Sequence, residues 1–372
     1  MNKILLITRP IAPPWDEASK NFAFYLAKKV DSFEFSMLTP GKVDTLPVKI
    51  NQIPIYTENH LNLSWNQRLR MLKLAPMIKN FDIVHFMLTP NKLNAFAFKT
   101  FLTSPKTKSV QTIATLREDL FSDNDFKKII FADLVITYSD YAKNKLEKIG
   151  LKNVSRIYPG IDIQLFTPAP KNLHTMELFN VGQDDFVIAY PGEYTRLGAT
   201  DDIVAMLPEL FTKIPNAKFI FANRIKNEKD ANKKNEIIEI LTASGISDRI
   251  IFTDTFADMP KIYNLSDVVI FPVRNMQGKF DVPLAVIEAM ACEKPVVVSN
   301  LPILKEFTCA KNSVVIDPEN KNQLINTIVG LFENKKECAK IGKAARQYVV
   351  ENFDINSVAK QYERAYRDLL SI

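Results

Sequence analysis

Short runs of β-branched and other apolar residues recur along the chain. Each is followed by a stretch in which apolar positions return every three or four residues. Ile4-Leu5-Leu6-Ile7 is the first such run and reads as a strand. Lys20 to Lys29 then sets Phe22, Leu26 and Ala27 on one helical face. Phe35 to Leu38, Asp82 to Phe86, Ser109 to Ile113 and Leu134 to Thr137 are further strands. Ser139 to Ile149 reads as a helix with Ser139 as N-cap and Gly150 as its stop. Strand and helix in alternation imply parallel βαβ units and a doubly wound sheet.

The alternation breaks near Tyr158-Pro159-Gly160-Ile161-Asp162, and a stretch rich in Pro and Asn follows to about Asp185. It restarts at Phe186 to Tyr190. It continues through Lys218 to Ala222, Ile250 to Phe252, Val268 to Phe271, Pro295 to Val298 and Ser313 to Ile316. The expected organisation is therefore α/β, with two Rossmann-like doubly wound domains facing a central cleft. Residues 1–162 form the first domain, 163–185 a linker and 186–354 the second. An amphipathic helix over 355–372 is expected to pack back on the first. Ligands of such sheets bind at the carboxyl ends of the strands.

The chain has 372 residues, enough for two cores. No apolar run is long enough for a transmembrane helix, and Arg9-Pro10 cuts short the apolar N-terminus, so no signal peptide is expected. Cys292, Cys309 and Cys338 lack metal-ligand spacing, and a cytoplasmic, reducing setting is expected. His60, His85 and His174 are too few for a His-rich metal site. Residues 1–162 carry 23 Lys and Arg against 15 Asp and Glu, so the positive charge sits in the first half. That half either meets an anionic partner or is an ordinary solvated surface. It has no nucleic-acid recognition motif, and nucleic acid is excluded as a partner.

Candidate chemistry concentrates in Lys279-Phe280-Asp281-Val282-Pro283-Leu284-Ala285-Val286-Ile287-Glu288. From about Pro283 the pattern is helical. The start of the helix, with Asp281 near its cap, offers backbone N–H groups to an anion or a sugar hydroxyl. Glu288 is an acid in an apolar stretch, costly unless it accepts hydrogen bonds. A ribose diol supplies them, and so does a neighbouring backbone or Arg; the residues alone leave both open.

Three pieces in this order resemble the family 4 retaining glycosyltransferases, of GT-B fold: Ala132-Asp133-Leu134-Val135-Ile136, Tyr158-Pro-Gly-Ile-Asp162, and Glu288-Ala-Met-Ala-Cys-x-Lys-Pro-Val-Val297. The resemblance implies an acceptor domain followed by a nucleotide-sugar domain, with Glu288 on the donor ribose. It implies transfer of a hexose-type sugar from a UDP- or GDP-linked donor to a glycan, lipid-linked or small-molecule acceptor. A cofactor is not expected, and with no Asp-x-Asp pattern neither is a metal.

The departures from that family shift the chemistry. Its second glutamate falls at Phe280, so Asp281 is expected to contact the transferred sugar. Its phosphate-binding Arg falls at Glu193 within Pro191-Gly192-Glu193-Tyr194-Thr195-Arg196-Leu197-Gly198. Arg196, Arg224 and Lys226 are then the cations expected on the diphosphate. Arg196 and Arg224, with Asp281, form the expected catalytic set. Gly192, Pro283 and Leu284 are expected against the donor. So is Ser19, in Pro13-Pro14-Trp15-Asp16-Glu17-Ala18-Ser19, where relatives often carry a glycine pair. Trp15 either stacks on a sugar or packs its loop, and His85 either faces the cleft or sits in the core. A catalytically weak nucleotide-sugar or glycan-binding GT-B protein and a nucleotide-sugar epimerase remain alternatives. Trp65 to Lys79 combines basic and apolar residues. Leu69, Leu72 and Met77 are expected on one face, either buried in the domain or set against an anionic membrane at the inner surface.

Overall fold

The structure, a computed structural model, describes residues 1–13, 15, 17–57 and 64–372. Pro14, Asp16 and His60, named above, lie outside the described residues. Contacts divide the chain into two compact units: Met1–Ile161 with Phe280–Val282 and Phe353–Ile372, and Asp162–Lys279 with Pro283–Asn352.

In the first unit the strands are β1 (Asn2–Ile7), β2 (Phe33–Thr39), β3 (Asn51–Pro54), β4 (Ile83–Phe86), β5 (Lys108–Ile113), β6 (Leu134–Thr137) and β7 (Val154–Arg156). They pair in the order β3-β2-β1-β4-β5-β6-β7, all parallel. The two edge strands β3 and β7 escaped the sequence pattern because they are short and partly polar, Asn-Gln-Ile-Pro and Val-Ser-Arg. In the second unit they are β8 (Phe186–Tyr190), β9 (Ala217–Phe221), β10 (Ile250–Phe252), β11 (Val268–Phe271), β12 (Val296–Ser299) and β13 (Val314–Ile316). Their order is β10-β9-β8-β11-β12-β13, again all parallel. Every residue of β8, β11 and β12 is buried, as expected of parallel strands covered on both faces. Each sheet has one switch point, at β1/β4 and at β8/β11, where ligands of open α/β sheets bind.

The stretch 163–185, read from sequence as a linker, belongs to the second unit. It forms the helix Leu173–Leu178, and Asn264 accepts from Ala169 N–H and donates to the Thr167 carbonyl. Its Pro and Asn residues mark a loop and a helix cap rather than a free tether: Asn172 accepts from Thr175 N–H.

The segment Trp65 to Lys79 also differs from its expected face. Trp65–Met71 is α-helical and Leu72–Asn80 is a 3-10 helix containing Pro76. The side facing the core is Gln67, Met71, Leu74 and Ile78, a spacing of four, three and four, while Leu69 stands in solvent. The buried stripe keeps the ordinary helical repeat; Leu69, Leu72 and Met77 lie beside it, and the polar Gln67 takes a core position that a search for apolar residues passes over.

The helix Ile355–Leu370 completes the first core. Asp354 caps it by accepting from Asn356 N–H. Ile355, Val358, Ala359, Tyr362 and Tyr366 fall on one face and pack with Phe22, Phe33 and Phe35. Each such large apolar side chain stabilises by about 1.5–3 kcal/mol on burial. His85 on β4 lies beneath this helix, fully buried, with Nδ1 2.8 Å from the Tyr366 hydroxyl and Nε2 2.7 Å from Thr112 Oγ1. Burial pushes its pKa down to about 3, so it stays neutral and is a core residue rather than a general base. The unfolded chain takes up a proton near the ordinary histidine value, so this group costs stability as pH falls below about 6.5.

Tyr366→Phe removes one partner of this buried imidazole. We expect a loss of about 1–2 kcal/mol, seen as a lower denaturation midpoint with an unchanged denaturant slope.

Candidate functional site

The carboxyl ends of β9, β8 and β11 emerge side by side because the three strands pair in that order and in parallel. The loop after β8 runs from Pro191 to Gly198 and enters the helix Ala199–Lys213. Its first turn is tight. Gly192 N–H donates to Asn223 Oδ1 at 3.0 Å, and a Cβ at Gly192 would fall 1.8 Å from the Tyr190 ring. Tyr190 is fully buried and has no room to yield. The next main-chain carbonyl, Glu193, accepts from Thr200 Oγ1 at 3.0 Å. Asp230, buried, ties this loop to the one after β9: it accepts from Thr195 Oγ1 and from Lys226 N–H.

At the centre of these loops lies the Glu193 carboxylate. Arg196 grips both its oxygens, Nε to Oε2 at 2.7 Å and NH2 to Oε1 at 2.5 Å. Lys226 Nζ donates to Oε1 at 2.7 Å and Lys279 Nζ at 3.4 Å. One loop therefore supplies the carboxylate and Arg196, a second Lys226, and a third Lys279. Burial alone would raise the Glu193 pKa, yet Arg196, Lys279 and Lys226 hold it well below the ordinary range. Lys279 is pushed down to about 8 by burial, with Glu193 opposing that shift. Burial likewise lowers Lys226.

The helix Leu284–Ala291 follows the third loop and carries Glu288. Pro283 is its N-cap and Leu284 its first residue, so the open N–H groups of its first turn belong to the residues after Pro283. Tyr263 donates its hydroxyl to Glu288 Oε2 at 2.9 Å. Burial pushes the Glu288 carboxyl up to about 7, against the pull of Tyr263 and of the Lys279 charge. Lys279 is thus felt by both carboxylates, Glu193 and Glu288.

The second unit brings together Gly192, Arg196 and Lys226, and the same unit carries Glu288, Pro283 and Leu284. Arg224 lies two residues before Lys226 on the same loop, near enough for their charges to repel. Asp281 is not the cap of the helix. It groups with the first unit, where its N–H donates to the Ala114 carbonyl and its Oδ2 accepts from Ser139 Oγ at 2.5 Å. Phe280 beside it packs edge-on against Tyr138. Ser19 is also in the first unit, in the first turn of the helix Ala18–Lys29, with its hydroxyl buried and without a partner among the described residues. Trp15 stacks on Phe24 at 4.7 Å and packs its loop. Two members of the cluster were missed as site residues. Lys279 opens the segment singled out above, and Glu193 was read only as a lost Arg; two opposite charges on loops after adjacent strands were the available signal. Among the described residues no group of three or more His, Cys, Asp or Glu could hold a metal ion.

The sequence model of the family "Glycosyl transferases group 1" matches residues 177–348, the stretch that carries the whole cation cluster and Glu288. The O-antigen biosynthesis glycosyltransferase WclY of Escherichia coli is 24% identical over 322 residues, 83% of this chain and 85% of that protein. Residues 177–348 thus resemble the group 1 glycosyltransferases. Among solved structures, sucrose-phosphate synthase of Thermosynechococcus elongatus superposes with a TM-score of 0.80 at 18% identity, covering all of both chains. HepE of Anabaena, in complex with UDP-glucose, superposes with a TM-score of 0.78 at 18% identity, also covering all of both. The glycosyltransferase fold is GT-B, and each of its two Rossmann-like units is described above.

Gly192→Ala should disturb the turn that aims Glu193 and Arg196. We expect about 1–3 kcal/mol of destabilisation from the overlap with Tyr190, with a lower melting temperature and a smaller thermal shift on adding nucleotide.

Proposed function

We propose that the chain is a retaining glycosyltransferase that moves a hexose-type sugar from a nucleotide-diphosphate donor to a hydroxyl acceptor. The observation that carries this reading is the convergence of Arg196, Lys226 and Lys279 on one carboxylate at the carboxyl edge of the second sheet. Cations gathered in a partly buried site stabilise the charge that grows on a departing diphosphate. In the reaction, the bond from the sugar C1 to the phosphate oxygen breaks. The acceptor oxygen bonds C1 on the same face, and its proton passes to the departing phosphate oxygen. Arg196, Lys226 and Arg224 act on the diphosphate, Glu288 accepts from the ribose hydroxyls, and Gly192 and the start of the Leu284 helix border the donor. The UDP-glucose found with HepE supports a UDP-linked hexose as the first donor to test. No metal or other cofactor is part of this proposal.

A second reading has its own support. Phe280 stands where family 4 has a glutamate, and Asp281 is engaged by Ser139. Both fit a protein that binds nucleotide sugars and turns them over poorly. Donor hydrolysis without acceptor separates the two: measurable release of free sugar supports the transferase, and binding without release supports the second reading.

Membrane contact is the matching proposal for the first unit. Trp65 and Leu69 on one helix, and Leu93 and Phe96 on the neighbouring Lys92–Phe101, stand in solvent. Arg68 joins the two helices through Asn94 at 3.0 Å. Arg70, Lys73 and Lys99 lie on the same stretches, a mixture suited to an anionic lipid surface and a lipid-linked acceptor. No helix among the described residues is long and apolar enough to cross a membrane. Sedimentation with anionic vesicles at low salt should deplete the protein more than neutral vesicles do; equal recovery removes the membrane from the proposal.

For the donor site, affinity for UDP-glucose should fall below about pH 7, as Glu288 takes up a proton, and level off near the loss that Glu288→Gln gives. It should fall again above about 8 as Lys279 loses one. Glu288→Gln should weaken the donor about tenfold and abolish the acid limb. Unchanged affinity and an unchanged acid limb would remove Glu288 from the ribose.

A further inference from the structure

Glu193 is an unusual occupant of a site that is to receive a diphosphate. Its side chain is only 10% exposed, and its main chain is fixed by Thr200 and Tyr190. It points its carboxylate at the place where the three cations meet. A residue that merely filled space there would not need to be charged, and a stray carboxylate would be expected to turn outward to water. Instead the Nε–NH2 edge of Arg196 and two lysine ammonium groups are aimed at it, while Arg196 NH1 donates to the Gly278 carbonyl.

Counting formal charges, Glu193, Arg196, Lys226 and Lys279 sum to two positive charges, and Arg224 on the loop of Lys226 brings the sum to three; without Glu193 each sum is one higher. A nucleotide-diphosphate sugar is a diester with two negative charges. The nucleoside diphosphate left after transfer gains a terminal phosphate oxygen that ionises near pH 6, and carries close to three. Glu193 removes one positive charge from the site, and a ligand with three negative charges feels that loss more than one with two.

We propose that Glu193 is a positioning residue that sets the charge of the diphosphate site. It holds Arg196, Lys226 and Lys279 together as a preformed set, and it repels the third charge of the product more than it repels the donor. This rests on the reading of the second unit as a nucleotide-sugar site. The repulsion grows in proportion to the charge of the ligand. Glu193 therefore lowers affinity for the product more than for the donor and favours release of the product after transfer.

The test is the ratio of two affinities, for UDP and for UDP-glucose, measured by calorimetry at pH 7 with EDTA present to remove divalent ions. Glu193→Gln keeps the size of the side chain and removes its charge. It should raise the preference for UDP over UDP-glucose by about tenfold, the order expected for one added unit of charge interaction at a partly screened site. Product inhibition should tighten by a similar factor. Glu193→Asp keeps the charge and should keep the wild-type ratio. Lys279→Gln moves the cluster the other way and should lower the preference for UDP. It also serves as the decisive variant if Glu193→Gln does not fold. A purely structural role would weaken both ligands together and leave the ratio where it was, and that result would overturn the proposal. If the wild-type chain binds neither UDP nor UDP-glucose, nor GDP or GDP-mannose in the same assay, the nucleotide-sugar reading itself falls and takes this inference with it. Binding of both ligands with a ratio insensitive to Glu193 and Lys279 removes the inference alone.

Discussion

The parallel pairing of β8 with β9 on one side and β11 on the other is the constraint on which the charged site of the second unit depends. Parallel strands all end on the same edge, so the loops that follow them have to leave together. Residues far apart in sequence, Glu193 and Arg196, then Lys226, then Lys279, are delivered to one spot without any loop having to travel. The strands can be placed so firmly because they are buried on both faces, and a register slip would carry apolar side chains out of a packed layer. The site inherits the rigidity of the sheet.

Rigidity matters because like charges gathered in a partly buried place resist being there. Each of Lys226 and Lys279 is under pressure to give up its proton, and a carboxylate in their midst relieves that pressure. Tight backbone geometry at Gly192 and the double acceptor role of Asp230 hold the loops so that the carboxylate stays in place. Glu288 faces the opposite problem. It is an acid short of donors, met by one from Tyr263, and a ribose diol would add to it. Preorganised polar groups of this kind cost little further rearrangement when a ligand arrives.

Much of the fold was legible in the chain. The apolar runs at Leu134–Thr137, Phe186–Tyr190 and Val268–Phe271 are strands with the bounds that the pattern suggests, because a doubly covered parallel strand is apolar almost throughout. Edge strands such as Val154–Arg156 lack that signature, and the buried face of Trp65 to Lys79 includes the polar Gln67, which a search for apolar residues passes over. The individual cations of the site were visible as types: Arg196 and Lys226 stand out after their strands. What periodicity does not carry is pairing. That Glu193 would gather the cations, that Ser139 would engage Asp281, and that Tyr263 would reach Glu288 are facts about positions brought together by the sheet order.

The helix Ile355–Leu370 has a consequence for how the chain is made. Tyr366 reaches His85 across 281 positions of sequence, and five residues of this helix belong to the core built on β1 and β2. A ribosome delivers residues in order, so the first unit emerges with one wall of its interior missing and an imidazole uncovered. Nearly two hundred further residues have to be synthesised before that wall exists. The residues of the second unit all fall within 162–352, and so it has the means to settle while the first is still waiting. The unit that begins first is the one that finishes last, and during that interval its open apolar face is the part of the nascent chain most in need of a chaperone.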